Sequence, residues 1–411
     1  MTGYLTTTVV RRGAQRPPLL SLALLLVPPV IAGGCDPPSE PAVVVIEPSN
    51  PPALVAFREE ADPQWKAVIA ERDGTFRVRP AGPYHVVIAC EWSAVHPSSV
   101  WIMEYARTPE DGPSVKHECV RDTYDFNVRG QVGPPGVAYF GTTSRAGYDP
   151  QWGFDFPVVA GSYDLFIRVD AQLAIRRDLA ISAYTDLGPI DFTLEDTVTL
   201  VPVTFRVSNQ QPDEIAKVGS HLDTGSTTAV LQEPMTAATG WTSMFVPESA
   251  LRATDRQIAT VSASRIGVGP KHQSYRRSSA RDVRVSDPPS LALPEPLGPV
   301  TFEKVGDRLT ATVSLLPEHD EVTLRWTTES GGVGKDHRIE LSRAFLDAAT
   351  ASSIALELAG IPSFRDEWRH APEVQQRYEL FTNRRLPGEL ESSSVSELTP
   401  RVLPAGPTPR P

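Results

Sequence analysis

Short stretches in which apolar and polar residues alternate recur along this chain, and a period of two belongs to strands with one buried face rather than to helices. Phe76 and Val78 alternate with Thr75, Arg77 and Arg79. Tyr84, Val86, Ile88 and Cys90 share a face, and Asp73-Gly74 supplies a turn ahead of the pair, so the two runs are predicted to form a hairpin with one buried face. Tyr163, Leu165, Ile167 and Val169 oppose Asp164, Arg168 and Asp170. Val201, Val203, Phe205 and Val207 repeat the pattern, with Pro202 favouring an edge strand. Leu309, Ala311, Val313 and Leu315 alternate with Thr310, Thr312 and Ser314; Val322, Leu324 and Trp326 follow the turn at Glu318-His319-Asp320. With 40 prolines and 28 glycines in 411 residues, long helices and doubly wound α/β sheets are poor alternatives. The expected fold class is all-β: tandem small β-sandwich domains. Two stretches could be helical, Arg343–Leu358 and Glu373–Arg384, the second with Val374, Tyr378 and Phe381 at helical spacing.

The N-terminus predicts an address. Arg11, Arg12 and Arg16 precede an apolar run from Leu19 to Ala32, and no acid occurs before Asp36, which is the layout of a secretory signal peptide. The run is too short to span a bilayer, and Pro28 and Pro29 interrupt it. Ala32-Gly33-Gly34-Cys35 resembles a bacterial lipobox, which implies that Cys35 is lipidated and becomes the first residue after cleavage. The alternative is an ordinary cleaved signal followed by a chance cysteine. Removing residues 1–34, with three arginines and no acid, takes the formal charge from −11 to −14. That balance, with a pI near 5.3, excludes a phosphate-tracking face, so no nucleic-acid partner is expected. Residues 35–53 are proline-rich and read as an extended tether, within which Ala42–Ile46 could pair as an edge strand.

Setting Cys35 aside leaves Cys90 and Cys119, both in one expected domain of an exported protein, where oxidation is permitted. They are predicted to form a disulfide, with two separate buried thiols as the alternative. No C-x-x-C or H-E-x-x-H motif indicates zinc, and neither a metal nor another cofactor is expected.

Ala81-Gly82-Pro83-Tyr84 and Ala160-Gly161-Ser162-Tyr163 form an internal echo, Ala-Gly-x-Tyr at a strand entrance, 79 residues apart. Here the chain resembles the transthyretin-like modules called carboxypeptidase regulatory-like domains, most closely over residues 125–200. Val128-Arg129-Gly130-Gln131-Val132 is similar to that family's opening strand and Ala174–Ile181 to a later one. The layout of lipobox, tether and tandem β-modules resembles uncharacterised bacterial envelope lipoproteins, which implies display and contact and carries no catalytic residues.

Clusters of turn residues place the boundaries. The segments are a signal peptide (1–34), the tether (35–53), a first sandwich (54–124) and a carboxypeptidase regulatory-like sandwich (125–198). A third β-domain (199–286), a proline-rich linker (287–298), a fourth domain with fibronectin type III-like strand rhythm (299–398) and a disordered tail (399–411) complete the chain.

Few residue groups point to chemistry. Asp223-Thr224-Gly225-Ser226 resembles the active-site loop of aspartic peptidases, in which two aspartates share a proton and activate a water. One copy would require a homodimer, and the tetrapeptide is also a good β-turn, which is the preferred reading. Ser220, His221 and Asp223 are neighbours in sequence, so as a strand they would not converge into a triad. Asp186, Asp191, Glu195 and Asp196 could ligate calcium but read first as solvated turn acids. Trp92, Trp101, Trp152 and Trp241 could line a sugar platform but read first as core. The expected protein is therefore non-enzymatic: a structural or interaction module of the bacterial cell envelope, held by lipid at Cys35 to the outer membrane or a periplasmic face. An envelope protein or glycan is the possible partner. A glycan- or protein-binding adhesion module is the first rival, and a dimeric aspartic peptidase the second.

Overall fold

The computed structural model describes residues 43–48, 52–91, 99–117, 119, 126–132, 136–141, 144–148, 153–191, 197–236, 241–266, 273–313, 319–330, 333–349, 353–371 and 374–399. Cys35, Trp92, Trp152, Glu195, Asp196, the signal segment and the tail from 400 lie outside them. The chain is nearly all β, as the alternation predicted.

Twelve strands form one continuous sheet: β1 (Leu54–Glu59), β2 (Asp62–Ala67), β3 (Tyr84–Glu91), β4 (Val100–Arg107), β5 (Ile215–Asp223), β6 (Thr228–Thr236), β7 (Arg256–Ile266), β8 (Ser274–Asp282), β9 (Glu321–Ser330), β10 (Val333–Ser342), β11 (Gln376–Leu386) and β12 (Glu389–Leu398). Their order is β6-β5-β7-β8-β12-β11-β9-β10-β4-β3-β1-β2. Every join is antiparallel except one, where β10 lies parallel to β4 with Ile339 opposite Glu104. Strands from the first, third and fourth expected segments thus share one sheet.

Smaller sheets cover this layer. On one face Phe302, Leu309, Ala311, Ile354 and Leu356, from strands Thr301–Val305, Arg308–Thr312 and Ser353–Glu357, pack with Phe345 and Leu346 of the helix α1 (Arg343–Ala349) against Val87, Ile102, Leu324, Ile339 and Leu380. On the other face Val44, Ile46, Phe76 and Val115 meet Tyr84, Val86, Ile88 and Cys90. The described strands between Phe126 and Thr199 form a separate sandwich with Phe140, Phe156, Leu165 and Ile167 inside. Its outer residues Tyr139, Phe166 and Leu173 pack on Leu222, Ala229 and Leu231 of β5 and β6. Both Ala-Gly-x-Tyr copies stand at strand entrances, with Tyr84 buried and the Tyr163 hydroxyl donating to the Val159 carbonyl at 3.1 Å.

Four local expectations are corrected. Phe76–Val78 does not pair with β3: it lies beside Val44–Pro48, with Val44 opposite Val78, whereas β3 lies between β1 and β4. Strand β3 is buried on both faces, because Val87 and Ala89 point into one core while Val86 and Ile88 point into the other. Val44–Pro48 is the middle strand of its sheet rather than an edge. Of the two helical stretches, only Arg343–Ala349 is helical. Ser353–Glu357 is a strand and Gln376–Leu386 is β11, where inward Tyr378, Leu380 and Thr382 obey a period of two that outweighs the helical spacing. Pro202 does lie on an edge strand, Val201–Phe205, which among the described residues pairs with Trp241–Phe245 alone. The proline-rich segment 287–298 is docked: Leu291, Leu293 and Leu297 are buried, and Leu291–Ala292 runs parallel to Val207–Ser208.

Candidate functional site

Strand β3 places Cys90 on the face that carries Tyr84, Val86 and Ile88, and β4 places Trp101, Met103 and Tyr105 opposite Cys90, Ile88 and Val86. From the covering sheet, strand Ser114–His117 turns Val115 and His117 inward, and Cys119 follows two residues later. Cys90 and Cys119 are joined as a disulfide with Cα atoms 5.4 Å apart, as the cysteine count predicted. His117 Nε2 lies 3.3 Å from Cys90 Sγ, and Nδ1 is 2.8 Å from the Tyr105 hydroxyl. Trp101 closes the ring side, 5.2 Å from the imidazole, and the Arg338 guanidinium covers Trp101. Burial, helped by the Arg338 charge, pushes the His117 pKa down to about 4, so the imidazole is neutral near pH 7. The ligand atoms of Cys90, His117 and Cys119 all lie within 4.8 Å of one another. Sequence reading found the two cysteines but passed over His117 and Tyr105. The alternation of Val115 and His117 across Ser114–His117 was the available signal.

The bridge closes over 29 residues. Cys90→Ser with Cys119→Ser is expected to lower unfolding free energy by about 3–4 kcal/mol, the loop-closure entropy returned to the unfolded chain. Urea unfolding of the double variant checks this, and a loss below about 1 kcal/mol would contradict it.

A second feature is a polar cleft of ≈ 300 Å³ between the β11–β12 hairpin and the docked 287–298 segment. Asn209, Glu295, His319, Thr382, Arg384 and Glu391 line it. Asn209 Nδ2 donates to the Leu293 carbonyl at 2.9 Å and to Glu295 at 3.1 Å, while Thr382 Oγ1 contacts His319 Nε2 at 3.1 Å. No Phe, Tyr or Trp side chain lines it among the described residues.

Asp223 ends β5 and opens the turn that leads to β6. Its Oδ1 accepts the Gly225 N–H at 2.9 Å, and Gly225 has a φ of +80°, a left-handed conformation that glycine adopts without strain. Ser220 faces away from solvent and donates to the Met244 carbonyl at 2.6 Å, while half-buried His221 points to the opposite side of the strand. The structure does not bring Ser220, His221 and Asp223 together. Asp186 accepts the Gly188 N–H at 2.8 Å, closing a local turn, and Asp191 is exposed. Trp101 and Trp241 are half-buried and pack against different cores.

Neither protein-family models nor curated proteins give a match to this chain.

Proposed function

We propose that the chain is a membrane-anchored envelope lipoprotein whose folded part is a non-enzymatic structural or interaction module. The observation that carries this reading is the twelve-stranded sheet, which ties segments more than two hundred residues apart into one layer covered by further sheets. Such a plate resists bending, because each strand is hydrogen-bonded to its neighbours and packed on its faces. The resemblance of Ala32-Gly33-Gly34-Cys35 to a lipobox supports the anchor. The side chains that resembled catalytic groups support the same reading, since Asp223 is engaged by the Gly225 N–H and Ser220 by the Met244 carbonyl.

The test uses the full chain expressed in a bacterial host and labelled with palmitate. The wild type is expected to carry label and partition with membranes, and Cys35→Ala to lose both. Equal labelling of the variant would refute the anchor. The peptidase rival is tested separately by incubating purified protein with unfolded casein from pH 3 to 6. Wild type and Asp223→Asn are both expected to leave it intact, with the substitution changing stability by no more than about 1 kcal/mol, as for a turn residue whose amide can make the same bond. Cleavage that vanishes in Asp223→Asn would make the peptidase the better reading.

A further inference from the structure

We propose that Cys90, Cys119 and His117 form a redox-gated site for a thiophilic metal ion, with zinc as the probe: closed as a disulfide, open to metal when reduced. The geometry points to this first. A tetrahedral ion with sulfur at about 2.3 Å and nitrogen at about 2.0–2.1 Å holds the two ligand atoms roughly 3.5 Å apart. Cys90 Sγ and His117 Nε2 are already 3.3 Å apart. The cysteine Cα atoms, 5.4 Å apart, allow the sulfurs to separate to roughly 3.8 Å by side-chain rotation once their bond is broken.

The imidazole is also held as a ligand would be. The Tyr105 hydroxyl lies 2.8 Å from Nδ1, so it can accept the Nδ1–H and leave the Nε2 lone pair facing the sulfurs. Among the described residues Nε2 faces the Cys90 sulfur, a weak hydrogen-bonding partner for a buried ring nitrogen. Reduction and metal binding supply that nitrogen with a strong partner. All three ligands and Tyr105 are at most 7% exposed, which excludes competing water from the ion's protein side. Three protein ligands leave a fourth position for water or a small anion.

The chemistry balances with an added thiol as reductant. Two R–SH are oxidised to R–S–S–R while the Cys90–Cys119 bond takes two electrons and two protons to give two thiols. Binding of Zn²⁺ then forms two Zn–S bonds and one Zn–N bond and releases both thiol protons. The site does not depend on the anchor proposed above, because it uses only residues of the folded body.

The experiment uses the full chain carrying Cys35→Ala, so that Cys90 and Cys119 are its only cysteines. The reduced protein is separated from reductant without oxygen and titrated with zinc against a chromophoric chelator. Cobalt(II) is substituted to read thiolate-to-metal charge transfer. One equivalent is expected to bind the reduced chain and none the oxidised chain. Tyr105→Phe is expected to weaken binding about 10–100-fold, His117→Gln, which removes a ligand, by at least as much, and Cys90→Ser with Cys119→Ser to abolish it. Should reduction loosen the fold, zinc is expected to raise the melting temperature of the reduced chain and leave the double serine variant unchanged. Binding no tighter than in the double serine variant, or unaffected by His117→Gln, would overturn the proposal.

Discussion

Arg277→Met is expected to destabilise the folded chain by about 3–5 kcal/mol, the cost of leaving a buried carboxylate without its cation. Arg277 and Glu214 are 3% and 4% exposed at their side chains. Arg277 Nε donates to Glu214 Oε1 at 2.9 Å, and Nη2 donates to Oε2 and, at 2.8 Å, to the Asn209 carbonyl. Nη1 donates to the Pro294 carbonyl, and the Gln211 N–H donates to Glu214 at 2.9 Å. Burial alone would raise the Glu214 carboxyl, but the guanidinium and the Gln211 amide hold it below the usual glutamate value. The pair therefore pins β8, the loop before β5 and the docked 287–298 segment at one point. Glu214→Leu alone should cost a similar amount, because it strands the guanidinium. The double variant should recover at least about 2 kcal/mol relative to the sum, since an apolar pair removes both buried charges together. Denaturant unfolding followed by tryptophan fluorescence measures all three, and strict additivity would show that the two side chains are not coupled.

Acid is expected to destabilise the chain well before its carboxylates titrate, because His337 and His370, like His117, are buried neutral. His337 is fully buried against Trp326, Phe364 and His370, and His370 stacks on Trp326 with ring centroids 4.1 Å apart. Burial lowers the His337 pKa to about 3, with Asp336 opposing and Lys335 assisting. Burial, with the charges of His337, Lys335 and Lys304, also puts His370 well below its ordinary value. An unfolded histidine takes its proton near pH 6.5, so between that value and the folded pKa the unfolded state binds a proton the folded state refuses. Stability is full above that pH and falls as pH drops, by about 2 kcal/mol for His337 between pH 7 and pH 5, with His370 adding in the same direction. His85 acts oppositely. Burial opposes its charge, but hydrogen bonds to Glu104 and Glu60, each 2.7 Å, win and raise its pKa, so its contribution is present at low pH and lost as pH rises. Denaturant unfolding of the wild type and His337→Leu at pH 7 and pH 5 tests this. The wild type should lose about 2 kcal/mol more than the variant, and equal losses would remove His337 as the cause.

The facing of individual residues was legible in the sequence wherever one side of a strand meets a core. Leu309, Ala311, Val322, Leu324 and Trp326 are all buried, as their alternation required. Strand β3 was legible only in part. The run Tyr84-His-Val-Val-Ile-Ala-Cys is apolar at nearly every position, and reading only its even members hid the second core behind Val87 and Ala89. Around β11 the spacing of Val374, just before the strand, with Tyr378 and Phe381 imitated a helix, and pairing with β9 and β12 on either side decided for a strand. The candidate metal site was half visible, since the cysteines announce themselves and a lone inward histidine does not.

By itself the sequence determined the all-β class, the turns at Asp73-Gly74 and Asp223–Ser226, the strand entrances at Tyr84 and Tyr163, and the pairing of the two cysteines of the folded body. These follow from local properties: side-chain alternation, glycine's access to positive φ, and a count of partners. Only the tertiary structure decided that β10 joins β4 in parallel, that Val44–Pro48 lies between Phe76–Val78 and Ser114–His117, and that His117 meets the disulfide. Period two specifies which face a side chain takes, and a backbone N–H or C=O accepts any strand as partner. Which strands join is settled by the burial that the assembled sheets achieve together.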